Sequence, residues 1–540
     1  SYDNQKRVES GIKYGLIKAT YNGHSCVIKQ NLIDYVISLL DVTTEAIEDN
    51  IINLKAKGEI IVETRDDAEW IYLENFYNVE KEIATRIIRL DKSKNLKKIE
   101  HIENALKGVE KKSNIELSEK QREAVLSIND SNVTIITGGP GTGKTTIIKT
   151  IIDLFEERKK KVVLTAPTGR AAKKMTEATG KEASTLHRLL GIGKLDDEGI
   201  YSRHSDYKGE PIDADLIVVD ELSMVDMFVM NYLLNCIYQG TKLILVGDVD
   251  QLASVGPGSV LKDLISSEKI TTVHLDKIFR QAAKSKIIVN AHRVNSGKKF
   301  ISKEDKEMEE DSKQDFFFIK ESSQEAMLNQ VISLCTGRLK KFGDYDFFSN
   351  IQVLTPTKKG MLGTKELNKA LQQVLNPYRD GESEKSSMGS VYRIQDRVMQ
   401  VKNNYDMQWE KSNGELGTGV FNGEMGTILE IDEKNKCVQI KFDDEKTSWY
   451  EYSELDQIEH SYSITIHKAQ GSEFDVVIMP IAQSAPMLLT RNLLYTGITR
   501  AKKLLIIIST DKIIDFMIQN IDSKKRNTGL EYKIKMLAKT

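Results

Sequence analysis

The sequence is short of the features that mark a secreted, metal-stapled or membrane protein. Its four cysteines, Cys26, Cys236, Cys335 and Cys437, lie far apart. That excludes C-x-x-C zinc patterns and a disulfide framework, and it fits a reduced, cytoplasmic setting. No apolar run reaches the ~18 residues of a membrane span, and no signal peptide is read. Net charge is nearly absent, with 77 Lys and Arg against 79 Asp and Glu, a balance of −2. Composition therefore argues neither for nor against a polyanionic partner, and any basic surface has to be local. There is no repeat of solenoid period, no low-complexity tract and no separate cluster of acidic metal ligands. The chain opens with Ser1 and not Met, which fits a chain trimmed upstream.

What remains is a globular chain of 540 residues, 40% hydrophobic and 29% charged, long enough for roughly three to four domains. Residues 31–63 show apolar residues at helical spacing as far as Leu40, then Thr43 as a cap for a helix through Leu54. Gly58 breaks that helix before a strand, EIIVE, which can pair with EWIYLE at 69–74. Two helices and a hairpin resemble a winged helix, read as a packing or partner module or as a direct DNA binder. This N-terminal module spans 1–112 and closes on a Lys-rich connecting helix at 92–112.

From Val133 short β-branched runs alternate with helical ones: VTIIT, KVVLT, LIVVD and KLILV. The pattern returns as IQVLTP, DVVIMP and KLLIIIS. The fold class is therefore α/β, with two parallel sheets wrapped by helices. The first unit is expected over 113–300, the second over 301–390 together with 456–540. Residues 391–455 interrupt the second with short alternating strands and an Asn422-Gly423 turn, a small inserted β-barrel.

Chemistry concentrates in the first unit. GGPGTGKTT, with Gly138, Gly139, Gly141, Thr142, Gly143, Lys144, Thr145 and Thr146, follows a strand and opens a helix. Glycines let backbone amides turn inward around phosphates, and the helix N-terminus adds partial positive charge. Lys144 can reach the outer phosphates of ATP, and Thr145 can ligate Mg2+. Asp220 and Glu221 end a buried strand, where parallel sheets gather ligands. Asp220 suits the metal, and Glu221 suits orientation and deprotonation of a water. Gln251, after another strand, is a candidate for the γ-phosphate or its water, and Gln121 for the adenine edge. Either glutamine alone fits a surface residue equally well. Arg280 and Arg500 are candidates for positive charge on the γ-phosphate, against the default of a surface salt bridge.

The segments LSEKQREAV, GGPGTGKTT, LTAPTGRAA, ASTLHRLLG, IVVDELSMVD, GDVDQL, IFRQ, ITIHKAQGSEFD and YTGITRAKK occur in one order between Leu117 and Thr510. In that order they resemble superfamily 1 helicases, and more closely the RecD-like (RecD/TraA) branch. The resemblance implies two RecA-like motor domains with ATP between them, a β-hairpin pin over 192–213, and a small barrel in the second motor. It implies an ATP-dependent motor that moves 5′ to 3′ on single-stranded DNA and unwinds duplex at junctions, in repair or recombination, as a monomer. A protein partner would use the N-terminal module. Longer members carry an oligonucleotide-fold-like segment and a helix-hairpin-helix upstream; neither is read here.

Residue by residue, the resemblance makes Gln121 the adenine reader and Gln251 the γ-phosphate sensor. It makes Arg280 and Arg500 the arginine fingers. Pro167, Thr168, Arg170 and His187 would touch DNA in the first motor, and Thr465, His467 and Lys468 in the second. Gly471 and Glu473 would face the nucleotide, Glu473 toward the ribose or the fingers. One departure stands out. Where some members place an aromatic beside the sensor glutamine, this chain has Leu252, Ala253 and Ser254. Base stacking, worth ~1–3 kcal/mol per base, has to come from elsewhere. The rival readings are a DNA-stimulated translocating subunit of a nuclease or recombination complex, and a nucleotide-dependent switch or small-molecule kinase.

Overall fold

The structure is a computed structural model that describes residues 5–93, 97–192, 209–302, 305, 313–521 and 525–539, with only the backbone at 280 and 281. Its N-terminal module runs α1 (Gln5–Thr20), β1 (Val27–Ile28), α2 (Lys29–Leu40), α3 (Thr44–Ala56), β2 (Ile60–Arg65) and β3 (Ala68–Leu73). Thr43 caps α3 by accepting from Ala46 N. The hairpin β2–β3 turns through Asp66 and Asp67, both at positive φ, as a tight two-residue turn requires. The sheet order β1-β3-β2 completes the element order of a winged helix. Sequence reading found α2, α3 and the hairpin and missed α1 and β1. The two-residue β1 is too short to show a period, yet Val27 and Ile28 pair with Ile71 and Trp70.

Next come α4 (Glu74–Asp91), α5 (Ile102–Ser113) and α6 (Glu119–Ser127). The connecting helix is shorter than expected, beginning at Ile102 where 92 was expected. Its Leu106 and Val109 enter the same core as Ile136 and Ile147. Packing thus assigns α5 to the first sheet and not to the N-terminal module.

The first sheet holds β4 (Val133–Gly138), β5 (Val162–Ala166), β6 (Ala183–Thr185), β7 (Leu216–Val219), β8 (Lys242–Gly247) and β9 (Thr271–Leu275). All six run parallel in the order β6-β5-β7-β8-β4-β9. β7 and β8 are buried along their whole length, so both sheet faces are covered and the strands read as unbroken apolar runs. The helices are α7 (Lys144–Glu156), α8 (Gly169–Thr179), α9 (Leu186–Leu190), α10 (Met227–Asn235) and α11 (Val260–Ser266). Because the strands are parallel, the segments that follow β4, β7 and β8 leave the sheet on one edge. That edge carries Gly138–Lys144, Asp220–Glu221 and Asp248–Gln251. The pin expected over 192–213 falls, for 193–208, outside the described residues.

After α12 (Arg280–Ala283) comes α13 (Lys286–Asn295). Its Ile287, Ala291 and Val294 pack among Leu493, Leu494 and Ile498. The boundary expected at 300 is therefore too late, since a helix belongs where its apolar stripe is buried. The second sheet takes β10 (Phe316–Lys320) and β11 (Ile351–Thr355). An antiparallel insertion follows: β12 (Glu384–Ser387), β13 (Ser390–Arg393), β14 (Arg397–Gln400), β15 (Asn404–Lys411), β16 (Leu416–Val420), β17 (Met425–Asp432), β18 (Cys437–Phe442), β19 (Lys446–Glu451) and β20 (Ile458–His460). The chain then returns as β21 (Ser463–Thr465), β22 (Phe474–Pro480) and β23 (Ala501–Ser509). The second sheet is parallel in the order β10-β23-β22-β11-β21.

The insertion is a two-stranded ribbon, β12-β13, and a seven-stranded sheet, β16-β15-β19-β18-β17-β14-β20, with a core of its own that includes Val398, Ile428, Val438 and Tyr450. It ends at His460, beyond the expected 455. His460 and Tyr462 both bond Asp396, which is fully buried at the root of the insertion.

The chain's last helix, Leu530–Lys539, leaves the second sheet. Leu530 and Ile534 join Phe76, Val79 and Phe228 in one core, so the expected membership of 456–540 in the second unit fails at this end. Lys533, 6% exposed, sits 2.9 Å from Glu80 and 3.1 Å from Glu63. The apolar stripe matches a groove beside α4, and a buried lysine matches two buried carboxylates. Breaking a buried ion pair costs about 3–5 kcal/mol because it strands a charge. Lys533→Met should therefore destabilise the N-terminal module by about that amount, read by urea unfolding followed through Trp70. A loss within noise would contradict the placement.

Candidate nucleotide site and interdomain cleft

The phosphate loop is shaped by two glycines in the left-handed region, Gly141 at φ +74° and Gly143 at φ +83°. A Cβ on Gly143 would lie 2.2 Å from Gln121 Nε2, and one on Gly139 would lie 2.8 Å from the Tyr495 hydroxyl. The loop is thus a cradle whose walls come from three separate segments. Lys144 opens α7 and donates from Nζ to the carbonyls of Gly138 (2.6 Å) and Gly139 (2.9 Å). Thr142 Oγ1 donates to Gly139 O at 2.8 Å. Thr145 is exposed and Thr146 half-buried in the first turn of α7. Gln121 is 2% exposed. Its Oε1 accepts from Ser118 N in a capping box, and its Nε2 donates to Gly143 O at 3.3 Å. The expected adenine reader therefore stands against the phosphate loop as part of a helix cap.

Asp220 and Glu221 follow β7. Glu221 has φ +53°, an uncommon conformation for a side chain of its size, and its N–H donates to Asp220 Oδ1 at 2.8 Å. Burial, and then Glu221 beside it, push the Asp220 carboxyl up to about 6. Two carboxylates forced together in a poorly solvated place call for a cation. Carboxylate and hydroxyl oxygens of this kind suit Mg2+, which Asp220 and Thr145 would hold. No cluster of three or more acidic, histidine or cysteine ligands occurs among the described residues.

The segment after β8 faces the second sheet. Gln251 is 8% exposed, and its Nε2 donates to Asp248 Oδ2 at 3.3 Å. The Tyr495 hydroxyl donates to the same oxygen at 2.6 Å. Burial raises Asp248, with Lys144 and Tyr495 opposing. Arg500 crosses from the second sheet, 3% exposed. It donates to Thr496 O (3.2 Å), Ser472 O (2.9 Å), Thr499 Oγ1 (3.1 Å) and Gln251 Oε1 (3.4 Å). Leu252 N donates to Thr496 Oγ1 at 3.0 Å, and Gln470 Nε2 to Leu252 O at 2.8 Å. Arg280 begins α12, and its side chain is outside the described part of the structure. Sequence reading selected Gln251 and Arg500 but missed Asp248, Gln470, Tyr495 and Thr496. All four lay inside motifs already recognised, and nothing in their spacing told which of them cross the cleft.

The expected DNA residues divide. Thr168 caps α8 through Ala171 N, and its Oγ1 would lie 2.9 Å from a Cβ on Gly471. Pro167, half-buried, precedes it. Arg170 donates to Ser472 Oγ (3.1 Å) and Asp443 Oδ2 (3.3 Å) and lies over the Phe474 ring. It thus ties the first sheet to the second and to the insertion, lining a cavity of about 780 Å³. His187, in α9, lines another cavity of about 1220 Å³ beside Tyr405, Trp409 and Phe421 of the insertion. Thr465, 7% exposed, accepts from Lys468 N at 3.2 Å and so shapes its own turn. His467 is exposed, and Lys468 pairs with Glu459 at 3.3 Å. Glu473 bonds Lys174 of α8. Burial raises its carboxyl, but Lys174, Arg500 and Lys502 outweigh that and hold it below the usual range.

Three family profiles match in sequence. They are an AAA domain over 116–312, the SH3 domain of ATP-dependent RecD-like DNA helicases over 367–442, and a UvrD-like helicase C-terminal domain over 460–508. The RecBCD enzyme subunit RecD of Buchnera aphidicola is 30% identical over 455 residues, covering 73% of this chain and 72% of that protein. The chain belongs to the RecD-like helicase family. The ATP-dependent RecD2 DNA helicase of Deinococcus radiodurans is 34% identical over 395 residues, 73% of this chain. This RecD-like chain spans about half (49%) of that relative's length. A solved Pif1 helicase from Bacteroides, in complex with ADP-AlF3 and ssDNA, aligns at TM-score 0.42 and 18% identity, over 75% of this chain and 94% of that one.

Lys144 is the first residue of the helix that the RecD-like phosphate loop opens. Lys144→Ala should weaken binding of a fluorescent ATP analogue by at least about tenfold, a loss of about 1.4 kcal/mol. Equal affinity in the two proteins would contradict the placement of the nucleotide.

Proposed function

We propose that this chain is an ATP-driven motor that tracks single-stranded DNA from 5′ to 3′ and opens duplex at junctions. The observation that carries the reading is Arg500, which reaches from one parallel sheet to the sensor position Gln251 on the other. A switch or small-molecule kinase has no use for that bridge. A motor needs it, because hydrolysis on one sheet has to change the position of the other.

In this reading Lys144 and the loop amides neutralise the outer phosphates. Glu221 takes the proton from the attacking water, and Gln251 orients that water. Arg500 and Arg280 stabilise charge on the transferred phosphoryl group. Mg2+, when bound by Asp220 and Thr145, supplies further charge neutralisation there. Glu473 sits beside Lys174 at the cleft, where it can reach the ribose or hold the fingers. Pro167, Thr168 and Arg170 on one sheet, and Thr465, His467 and Lys468 on the other, form the DNA path, with His187 beside it. Contacts of this type go to backbone and are blind to base sequence. The N-terminal module is left to a protein partner. The exposed charges of α3 and the hairpin are Glu45, Glu48, Asp49, Asp66, Asp67 and Glu69 against Lys55 alone, a poor match for phosphates.

Strand displacement on duplexes with a 5′ or a 3′ single-stranded tail tests the reading. Displacement from the 5′ tail alone is expected. Hydrolysis stimulated by DNA with no displacement from either tail would favour the translocating-subunit alternative, and a rate indifferent to DNA would remove the motor. Glu221→Gln should keep nucleotide binding and slow turnover about 10²–10⁴-fold, the usual worth of a general base. Near-normal turnover would move the base elsewhere. Turnover should also fall as pH drops through about 6, because a protonated Asp220 is neutral and cannot hold a cation. Raising Mg2+ competes with the proton and should move that limb to lower pH; a limb indifferent to Mg2+ would contradict the assignment.

A further inference from the structure

The loop that leaves Gln251, residues 252–258, is held at both ends by different parts of the chain. Its near end is held by the second sheet, through Thr496 and Gln470 on Leu252. At its far end Arg526 enters. Arg526 Nη1 donates to Gly256 O (2.8 Å), Gly258 O (2.8 Å) and Ser254 Oγ (3.3 Å), and Nη2 to Ser254 O (2.5 Å). The loop has little side-chain burial at its crest, where Val255 is 85% exposed. Its shape rests on carbonyls gathered around one guanidinium. A planar fork can serve three carbonyls at fixed angles, and a lysine ammonium cannot.

Arg526 is itself fixed by the N-terminal module. A Cβ on Gly23 would lie 2.3 Å from Arg526 Nε, so the module's backbone lies flat against the guanidinium stem. Gly258 N donates to Gly23 O at 2.9 Å. The next residues continue the seam: Asn527 N donates to His24 Nδ1 (2.9 Å), and Arg65 Nη2 to Thr528 O (2.9 Å).

We propose that Arg526 is a positioning residue that sets the conformation of the Gln251 loop and couples it to the N-terminal module. A nucleotide-driven shift of Gln251 has a short, stiff route through 252–258 and Arg526 to Gly23–Ser25, and a partner held by the module has the same route back to the ATP site. Gln251 is a sensor only under the motor reading above; the contacts of Arg526 do not depend on it.

Hydrogen exchange with and without a non-hydrolysable ATP analogue tests the coupling in the full chain. In the wild type the analogue should slow exchange by at least roughly threefold in 138–146, in 251–258 and in 22–26. Arg526→Ala and Arg526→Lys should keep the effect at 138–146 and lose it at 22–26. Their DNA-stimulated kcat should fall at least about fivefold while KM for ATP stays within about twofold. If Arg526→Ala does not fold, Arg526→Lys, which keeps the charge, gives the same reading. Persistence of the effect at 22–26 in Arg526→Lys, or its absence from 22–26 in the wild type, would overturn the proposal. Absence even at 138–146 would remove the nucleotide reading and this role with it.

Discussion

The structure turns on one buried cation. Arg500 is almost wholly out of solvent, and all four of its hydrogen bonds go to neutral oxygens. A buried charge is costly unless anions complete its surroundings, and the Glu473 carboxylate, held low in part by Arg500, is one of them. Glu473 and Asp248 stand nearby, each with a competing partner: Lys174 for the first, Tyr495 for the second. The cleft thus sets a buried guanidinium from one sheet against Gln251 beside the glycine-rich loop of the other. The two sheets meet at Gln251 and also through Tyr495 on Asp248, Thr496 and Gln470 on Leu252, and Arg170 on Ser472.

The rest of the fold keeps those two halves in register. Parallel strands bring the segments after β4, β7 and β8 to one edge, so the cradle, the acidic pair and Gln251 gather without any long excursion. Arg170 spans from α8 to Ser472 and Asp443, linking the insertion to the same cleft. At the other end of the Gln251 loop the chain terminus folds back on the N-terminal module, where Lys533 joins Glu63 and Glu80. The loop is thus held between the second unit at Leu252 and Arg526 beside the N-terminal module at Gly256 and Gly258.

Much of this was legible in the sequence, and the reasons separate cleanly. All seven β-branched runs chosen from the sequence are strands of the two sheets, because a strand buried on both faces has no polar interruptions to disguise it. The glycine loop and the Asp220–Glu221 pair were legible because their chemistry is local. What escaped was tertiary. α13 carries a helical stripe that fits either sheet, and only packing assigns it to the second. Lys533 and Arg526 belong to none of the motifs, yet both are held by groups hundreds of residues away. The Thr465 hydroxyl also accepts from Lys468 N in its own turn, a contact that residue type alone does not show. Short strands such as β1, β6 and β21 are below the length at which a period of two can be seen.

The measurement closest to the central claim is ATP hydrolysis by Arg500→Ala and Arg500→Lys, with and without single-stranded DNA, alongside nucleotide affinity. If the buried guanidinium completes the site across the cleft, both variants should bind nucleotide normally and lose most of the DNA-stimulated turnover. Lys should fail nearly as badly as Ala, since it cannot hold the fork of oxygens that orients Arg500. DNA-stimulated turnover at the wild-type rate in Arg500→Ala would contradict the account.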